Sequence, residues 1–133
     1  MSFAVRFASL LALVAPICIP AHAENAPVLG IDYEVGTSLV CDTQGQVERF
    51  VALYSGDMKD TIKLVNAEEH DPTACALANV AFVRGTELGT ARHGDDAFRL
   101  VHILIVGVNT DNGVKAVRPA AYYSLFRIKE FAV

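Results

Sequence analysis

The first 23 residues carry the three parts of a secretory signal peptide, and they limit how much chain remains to fold. Arg6 lies in a short basic start, and Phe7 to Ile19 is an apolar run of thirteen residues. Ala21-His22-Ala23 then forms the small-x-small pattern that signal peptidase cleaves. The apolar run is shorter than the about 20 residues that span a membrane. A buried N-terminal helix is the alternative, but the order of the three parts predicts cleavage between Ala23 and Glu24. The mature chain is then a single domain of 110 residues, 24–133.

The expected export determines which cysteines remain in the mature chain and whether they form a disulfide. Cys18 would leave with the signal peptide, and Ile17 before it does not fit a lipoprotein cleavage site, so we expect no lipid anchor. Cys41 and Cys75 remain, and two cysteines in an exported chain predict one disulfide. Two free buried thiols are the alternative, whereas the absence of Cys-x-x-Cys argues against a redox-active pair. The expected product is a periplasmic or secreted protein whose single small domain is stapled by Cys41–Cys75.

Composition and charge exclude several classes of protein. A hydrophobic share of 53% and a charged share of 20% are not those of a disordered chain. The net charge of −4 argues against a nucleic-acid partner. Beyond residue 23 no apolar stretch reaches the about 18 residues of a membrane span. Residues 24–74 hold ten acids and three bases, and residues 75–133 hold five acids and seven bases, so the first part is acidic and the second mildly basic.

Helical signals come first in the mature chain, after an extended arm with a short edge strand around residues 31–35. Thr43-x-x-Gln46 fits a capping box. An apolar stripe at helical spacing follows, made of Val47, Phe50, Val51 and Tyr54. Gly56 ends this helix, and Asp57 begins a second one with Met58, Ile62 and Val65 on one face. Residues 66–73 are polar and contain Pro72, which predicts a loop.

Strand signals replace the helical ones from Cys75 onward. Strands are predicted over residues 75–84, 86–92, 98–108, 114–118 and 120–131, with a turn at Gly85 and a loop at residues 93–96. Asp111-Asn112-Gly113 is a hairpin signal, and Pro119 indicates an edge or a bulge. The predicted class is α+β: two N-terminal helices packed on a curled antiparallel sheet of four or five strands.

Two loops hold side chains that bind metals or transfer protons in other proteins. They are Glu68-Glu69-His70-Asp71 and His93-Gly94-Asp95-Asp96. Neither has a known ligand spacing, so we expect no metal, no cofactor and no catalytic residue there. A lone His102 inside an apolar strand is more often an interior residue than a catalyst. The alternative is a small hydrolase or metal-dependent enzyme that uses His70, His93 and the nearby carboxylates.

Several segments resemble a group of small exported bacterial proteins that have no known function. The resemblance lies in Cys41-Asp42-Thr43, in Gln46 to Val51, in Val80 to Gly85 and in Tyr122 to Phe126. It covers most of the mature chain. It implies export and a shared scaffold, and it implies no activity and no functional residue.

The strongest strand predicts where a partner binds, because its two faces are both apolar. Phe98, Leu100 and His102 alternate with Val101 and Ile103. Two helices cover one face of a sheet, so the second face either is buried by the curl of the sheet or stays partly open. In the open case we expect a candidate interface formed by Tyr123, Leu125, Arg127 and Lys129 of the last strand. The function expected from the sequence is non-catalytic binding of a protein or envelope component, or formation of a homodimer.

Overall fold

The computed structural model describes residues 31–129. The predicted signal peptide, Cys18 and the cleavage site between Ala23 and Glu24 lie outside the described residues. Within them the chain forms β1 (Glu34–Cys41), α1 (Gln44–Leu53), α2 (Met58–Glu69), β2 (Cys75–His93), β3 (Asp96–Thr110) and β4 (Gly113–Arg127). The four strands are antiparallel neighbours, and the sheet closes on itself in the order β1-β2-β3-β4. The α+β class is confirmed, but the helices are inserted between β1 and β2 and do not precede the sheet.

The helix starts follow the local signals. Thr43 caps α1 because its Oγ1 accepts a hydrogen bond from Gln46 N at 3.2 Å, and Gln46 Oε1 accepts one from Thr43 N at 3.1 Å. Asp57 caps α2 by accepting from Asp60 N at 2.9 Å. The second helix runs to Glu69 and ends at His70, which is left-handed with φ 52°. The predicted loop boundary at residue 66 was therefore wrong by one helical turn.

The strand β1 is longer than the edge strand expected around residues 31–35. Its first half is mostly exposed, and its buried residues are Ser38, Leu39 and Cys41. Pairing with β2, from Glu34 opposite Phe82 to Cys41 opposite Cys75, provides the backbone hydrogen bonds that hold it extended. A strand held mainly by a distant partner leaves a weak pattern in its own sequence.

A single strand, β2, replaces the two that were expected on either side of Gly85. The strand continues through residues 75–93 with register shifts between Arg84 and Glu87 and between Glu87 and Gly89. A Cβ on Gly85 would lie 2.8 Å from the carbonyl oxygen of His102 on β3. This glycine therefore allows a close approach of two strands at a bulge and does not form a turn.

Two tight hairpins connect β2, β3 and β4. His93 pairs with Asp96, and Thr110 pairs with Gly113, so each turn has two residues. The hairpin predicted at Asp111-Asn112-Gly113 is confirmed, with Gly113 at φ 102°. The sheet closes where Cys41 of β1 pairs with Tyr123 of β4 and where the buried Ser124 donates to the carbonyl oxygen of Leu39 at 2.5 Å.

The curl of the sheet divides the interior into two cores. The helix-side core lies between the helices and the outer face of the sheet. Its buried members are Leu39, Cys41, Val47, Phe50, Val51, Tyr54, Val65, Cys75, Phe98, Leu100 and Leu125. The inner core lies on the other face and contains Val80, Phe82, Val101, Ile103 and Ile105. Ile103 is 1% exposed, so the domain buries the middle of its second sheet face itself.

An ion pair joins the two helices at their exposed surface. Arg49 donates through Nε to Glu68 Oε2 at 2.7 Å and through Nη2 to Oε1 at 2.8 Å. The hydrogen bonds from Arg49 lower the pKa of Glu68, and the charge of Arg49 adds to this effect.

We expect Arg49→Gln to return the pKa of Glu68 to the ordinary glutamate range, measured by NMR titration of its carboxyl carbon. Because the folded-state pKa is lowered, the pair stabilises the fold above the unfolded-state pKa, and this stabilisation is lost as pH falls through the folded value. The control is Arg99→Gln, which should leave the titration of Glu68 unchanged. An unaltered titration in Arg49→Gln would contradict this interpretation.

Candidate binding groove

The predicted disulfide is present. Cys41 and Cys75 are directly opposite each other on β1 and β2, with a Cα–Cα distance of 4.1 Å. Both are buried in the helix-side core. Asp42 N donates to Ala74 O at 3.0 Å beside the bridge. The disulfide therefore joins the two strands at the point where the helical hairpin leaves the sheet, and it fits an oxidising compartment.

The first His-containing loop has structural roles for its members. Glu68 pairs with Arg49, and His70 is the left-handed residue that ends α2. Asp71 Oδ1 accepts hydrogen bonds from Thr73 N at 2.9 Å and from Thr73 Oγ1 at 3.0 Å. These contacts organise the turn that leads into β2.

The second His-containing loop lies at the opposite end of β2. His93 is the last residue of that strand and lies edge-on to the ring of Tyr54. Asp96 forms an ion pair with Arg127 at 3.0 Å. In residues 31–129 no three His, Cys, Asp or Glu side chains are grouped so that they would hold a metal ion. His70 and His93 are thus not brought together.

The four residues of the expected interface do not share an open apolar face. Leu125 pairs with Leu100 and is 7% exposed in the helix-side core, and Tyr123 packs against the same core. Both therefore face the helices and not the inner core around Ile103. Arg127 and Lys129 are exposed at the end of the strand. Placing Leu125 on an open surface was wrong, because its register puts it opposite a residue that the helices cover.

The second sheet face is open at one end, as an apolar groove of about 450 Å³. Val80 and Ile105 form its buried floor, and Val108 and Val117 are exposed at 40% and 37%. Its remaining lining is Val40, Asp42, Thr73, Ala76, Ala78, Arg118, Ala120 and Tyr122. The three alanines leave space that larger side chains would fill, so the groove is concave and mostly apolar.

The groove exists because β1 is short. Its ladder with β4 is a single pair at Tyr123, and the chain turns away at Asp42 to enter α1. The preceding residues of β4, from Gly113 to Tyr122, therefore have no partner on β1, and those that are paired lie opposite β3. Near Pro119 the register shifts between Ile105 and Gly107, and β4 bulges there. Pro119 was correctly expected at an edge or bulge.

The groove lining contains one acidic and one basic side chain. Asp42 and Arg118 are both exposed. Arg118 forms no ion pair within the part of the chain that the structure describes. The groove thus presents a hydrophobic floor with an unpaired guanidinium available at its border.

Sequence reasoning missed this site. Its alanines occur at ordinary strand positions, and nothing in the sequence around Asp42 indicates a groove. The signal in the sequence was Pro119, which marks an unpaired strand edge.

The chain matches no known protein family, no curated protein and no solved structure. The resemblance to small exported bacterial proteins therefore stays a prediction. Among residues 31–129, neither helix is long and apolar enough to cross a membrane.

Proposed function

We propose that this domain is a non-catalytic binding module of the periplasm or cell envelope, and that its groove binds an aliphatic chain with an acidic end group. The observation that carries the proposal is the groove itself, an apolar concavity of about 450 Å³ in the described part of the domain. This volume is within the range of small-molecule sites, about 300–1,000 Å³.

The floor of the groove favours an aliphatic occupant. Val80 and Ile105 at the bottom and Val108 and Val117 at the sides are all branched aliphatic residues. Burial of an alkyl chain against them is favourable by about 0.8 kcal/mol for each methylene group. Binding would also cover Val108 and Val117, which otherwise remain exposed to water.

The border of the groove favours an acidic end group. Arg118 is exposed and has no carboxylate partner among the described residues, so its donors are available to an anionic oxygen. Asp42 opposes the same anion by charge repulsion. A carboxylate-bearing chain should therefore bind with its acidic end toward Arg118.

The expected result is that dodecanoate binds the mature protein and that Ala120→Leu weakens binding at least tenfold, measured by titration calorimetry. The added side chain occupies the space that the alkyl chain needs. The matched control is Ala121→Leu, because Ala121 is exposed and is the neighbouring residue on the opposite face of β4.

Two charge variants in the same experiment test which way the bound chain points. Arg118→Gln should weaken dodecanoate binding about tenfold, equivalent to about 1.4 kcal/mol, and Asp42→Asn should strengthen it. Dodecanol, which lacks the charge, should be insensitive to both changes. Equal binding by Ala120→Leu and Ala121→Leu, or no binding by the wild type, would overturn the proposal.

A further inference from the structure

A second cavity, about 320 Å³ in volume, lies at the other end of the sheet and is lined mainly by cations. Arg84 comes from β2, Arg99 from β3 and Arg127 from the end of β4, and Lys129 follows two residues later. The remaining lining is Phe126 and Ile128. Four basic side chains thus converge in a chain whose net charge is −4.

An aromatic stack holds the first of these cations in place. The guanidinium carbon of Arg84 lies 3.7 Å from the centre of the Phe126 ring. Phe126 in turn stacks on Phe82, with ring centres 5.8 Å apart, and Phe82 is 3% exposed in the inner core. The position of the Arg84 side chain is therefore fixed by a platform that reaches into the core.

Arg84, Arg99 and Lys129 have hydrogen-bond donors that are available to a ligand. Arg84 uses Nε to donate to Glu34 Oε2, and Arg99 Nε is 3.6 Å from Glu87 Oε1. The terminal nitrogens of both guanidinium groups donate no hydrogen bond within residues 31–129. These side chains are about half exposed, so their ion pairs are weak and exchangeable. Lys129 has no partner among the described residues.

The third arginine is anchored on the helix side. Arg127 Nη2 donates to the hydroxyl of Tyr54 at 2.9 Å and lies 3.0 Å from Asp96 Oδ1. The cavity therefore lies between Arg84, which the inner core holds through Phe126, and Arg127, which the helix-side core holds through Tyr54. Four cations exceed the three carboxylates that contact them, Glu34, Glu87 and Asp96, by one positive charge.

We propose that this cationic pocket binds a phosphate group. Several planar guanidinium groups and one ammonium group suit a tetrahedral anion that has several acceptor oxygens and up to two negative charges. The site is separate from the apolar groove, since the two linings share no residue. The phosphate comes either from a soluble anion or from a lipid headgroup, and the two sources are distinguished by experiment.

The test uses the mature protein with two probes, pyrophosphate in calorimetry and phosphatidylglycerol vesicles in a flotation assay. Arg84→Gln and Arg99→Gln are each expected to weaken binding at least fivefold, and raised salt should weaken binding by the wild type. Lys115→Gln is the matched control, because it removes the same charge from an exposed site on β4 outside the pocket.

Each outcome decides the proposal. Arginine-dependent binding of pyrophosphate supports it, and arginine-dependent binding of vesicles alone supports it with a lipid as the source. If Arg84→Gln loses its fold because the stack on Phe126 is lost, Arg99→Gln carries the test alone. Binding that is equally reduced in Lys115→Gln, or that persists in both arginine variants, or that the wild type lacks for both probes, overturns it.

Discussion

Leu125→Asp is expected to leave the domain largely unfolded at room temperature. Leu125 is 7% exposed among the buried residues of the helix-side core. Its loss removes about 2–5 kcal/mol of packing, and a buried carboxylate without a partner costs several kcal/mol more. A small domain has only about 5–15 kcal/mol of stability to lose.

The matched control for this variant is Leu104→Asp on β3. Leu104 is 37% exposed, so a carboxylate at that position stays hydrated, and we expect a loss of about 1 kcal/mol. Urea denaturation followed by circular dichroism measures both changes. A Leu125→Asp protein as stable as Leu104→Asp would contradict the assignment of Leu125 to the core.

Removing the disulfide should have a similarly large effect. We expect Cys41→Ser with Cys75→Ser to lower the free energy of unfolding by about 4 kcal/mol, the chain-entropy value for this loop length. The bridge joins residues separated by 34 positions, and it restricts the unfolded chain more than the folded one. Because both sulfur atoms are buried, the two introduced hydroxyl groups add a further cost.

Chemical reduction provides the control for the cysteine variants. The reduced wild-type protein should unfold in urea at a midpoint well below that of the oxidised protein, and the double serine variant should unfold somewhat lower again because of its buried hydroxyl groups. A double variant as stable as the oxidised protein would show that the cross-link does not limit the unfolded state.

Local signals in the sequence predicted the elements whose hydrogen bonds are local. The capping box at Thr43, the cap at Asp57 and the two-residue turn before Gly113 all satisfy backbone groups within a few residues. The cysteine pair was also predictable, because the predicted removal of the signal peptide would leave two cysteines and one way to join them.

Elements that depend on distant partners were predicted less well. The strand β1 is defined by its pairing with β2 across the whole helical hairpin, which a local pattern does not contain. Gly85 resembles a turn residue in sequence, yet it serves the close approach of His102.

The side of the sheet on which Leu125 lies was predictable and was nevertheless placed wrongly. The turn puts Thr110 opposite Gly113, so odd-numbered residues of β4 face even-numbered residues of β3. The bulge near Pro119 shifts the pairing by two positions and preserves this relation. Leu125 therefore has to share a face with Leu100 and not with Ile103.

The position of the disulfide changes what holds the molecule together. Cys41 and Cys75 enclose the whole helical hairpin, whose inter-helix turn at Ser55, Gly56 and Asp57 is exposed. A protease that cut the backbone in this turn would produce two peptides that remain covalently joined through the bridge. The connection of β1 to the other three strands therefore does not depend on an intact peptide backbone between the helices.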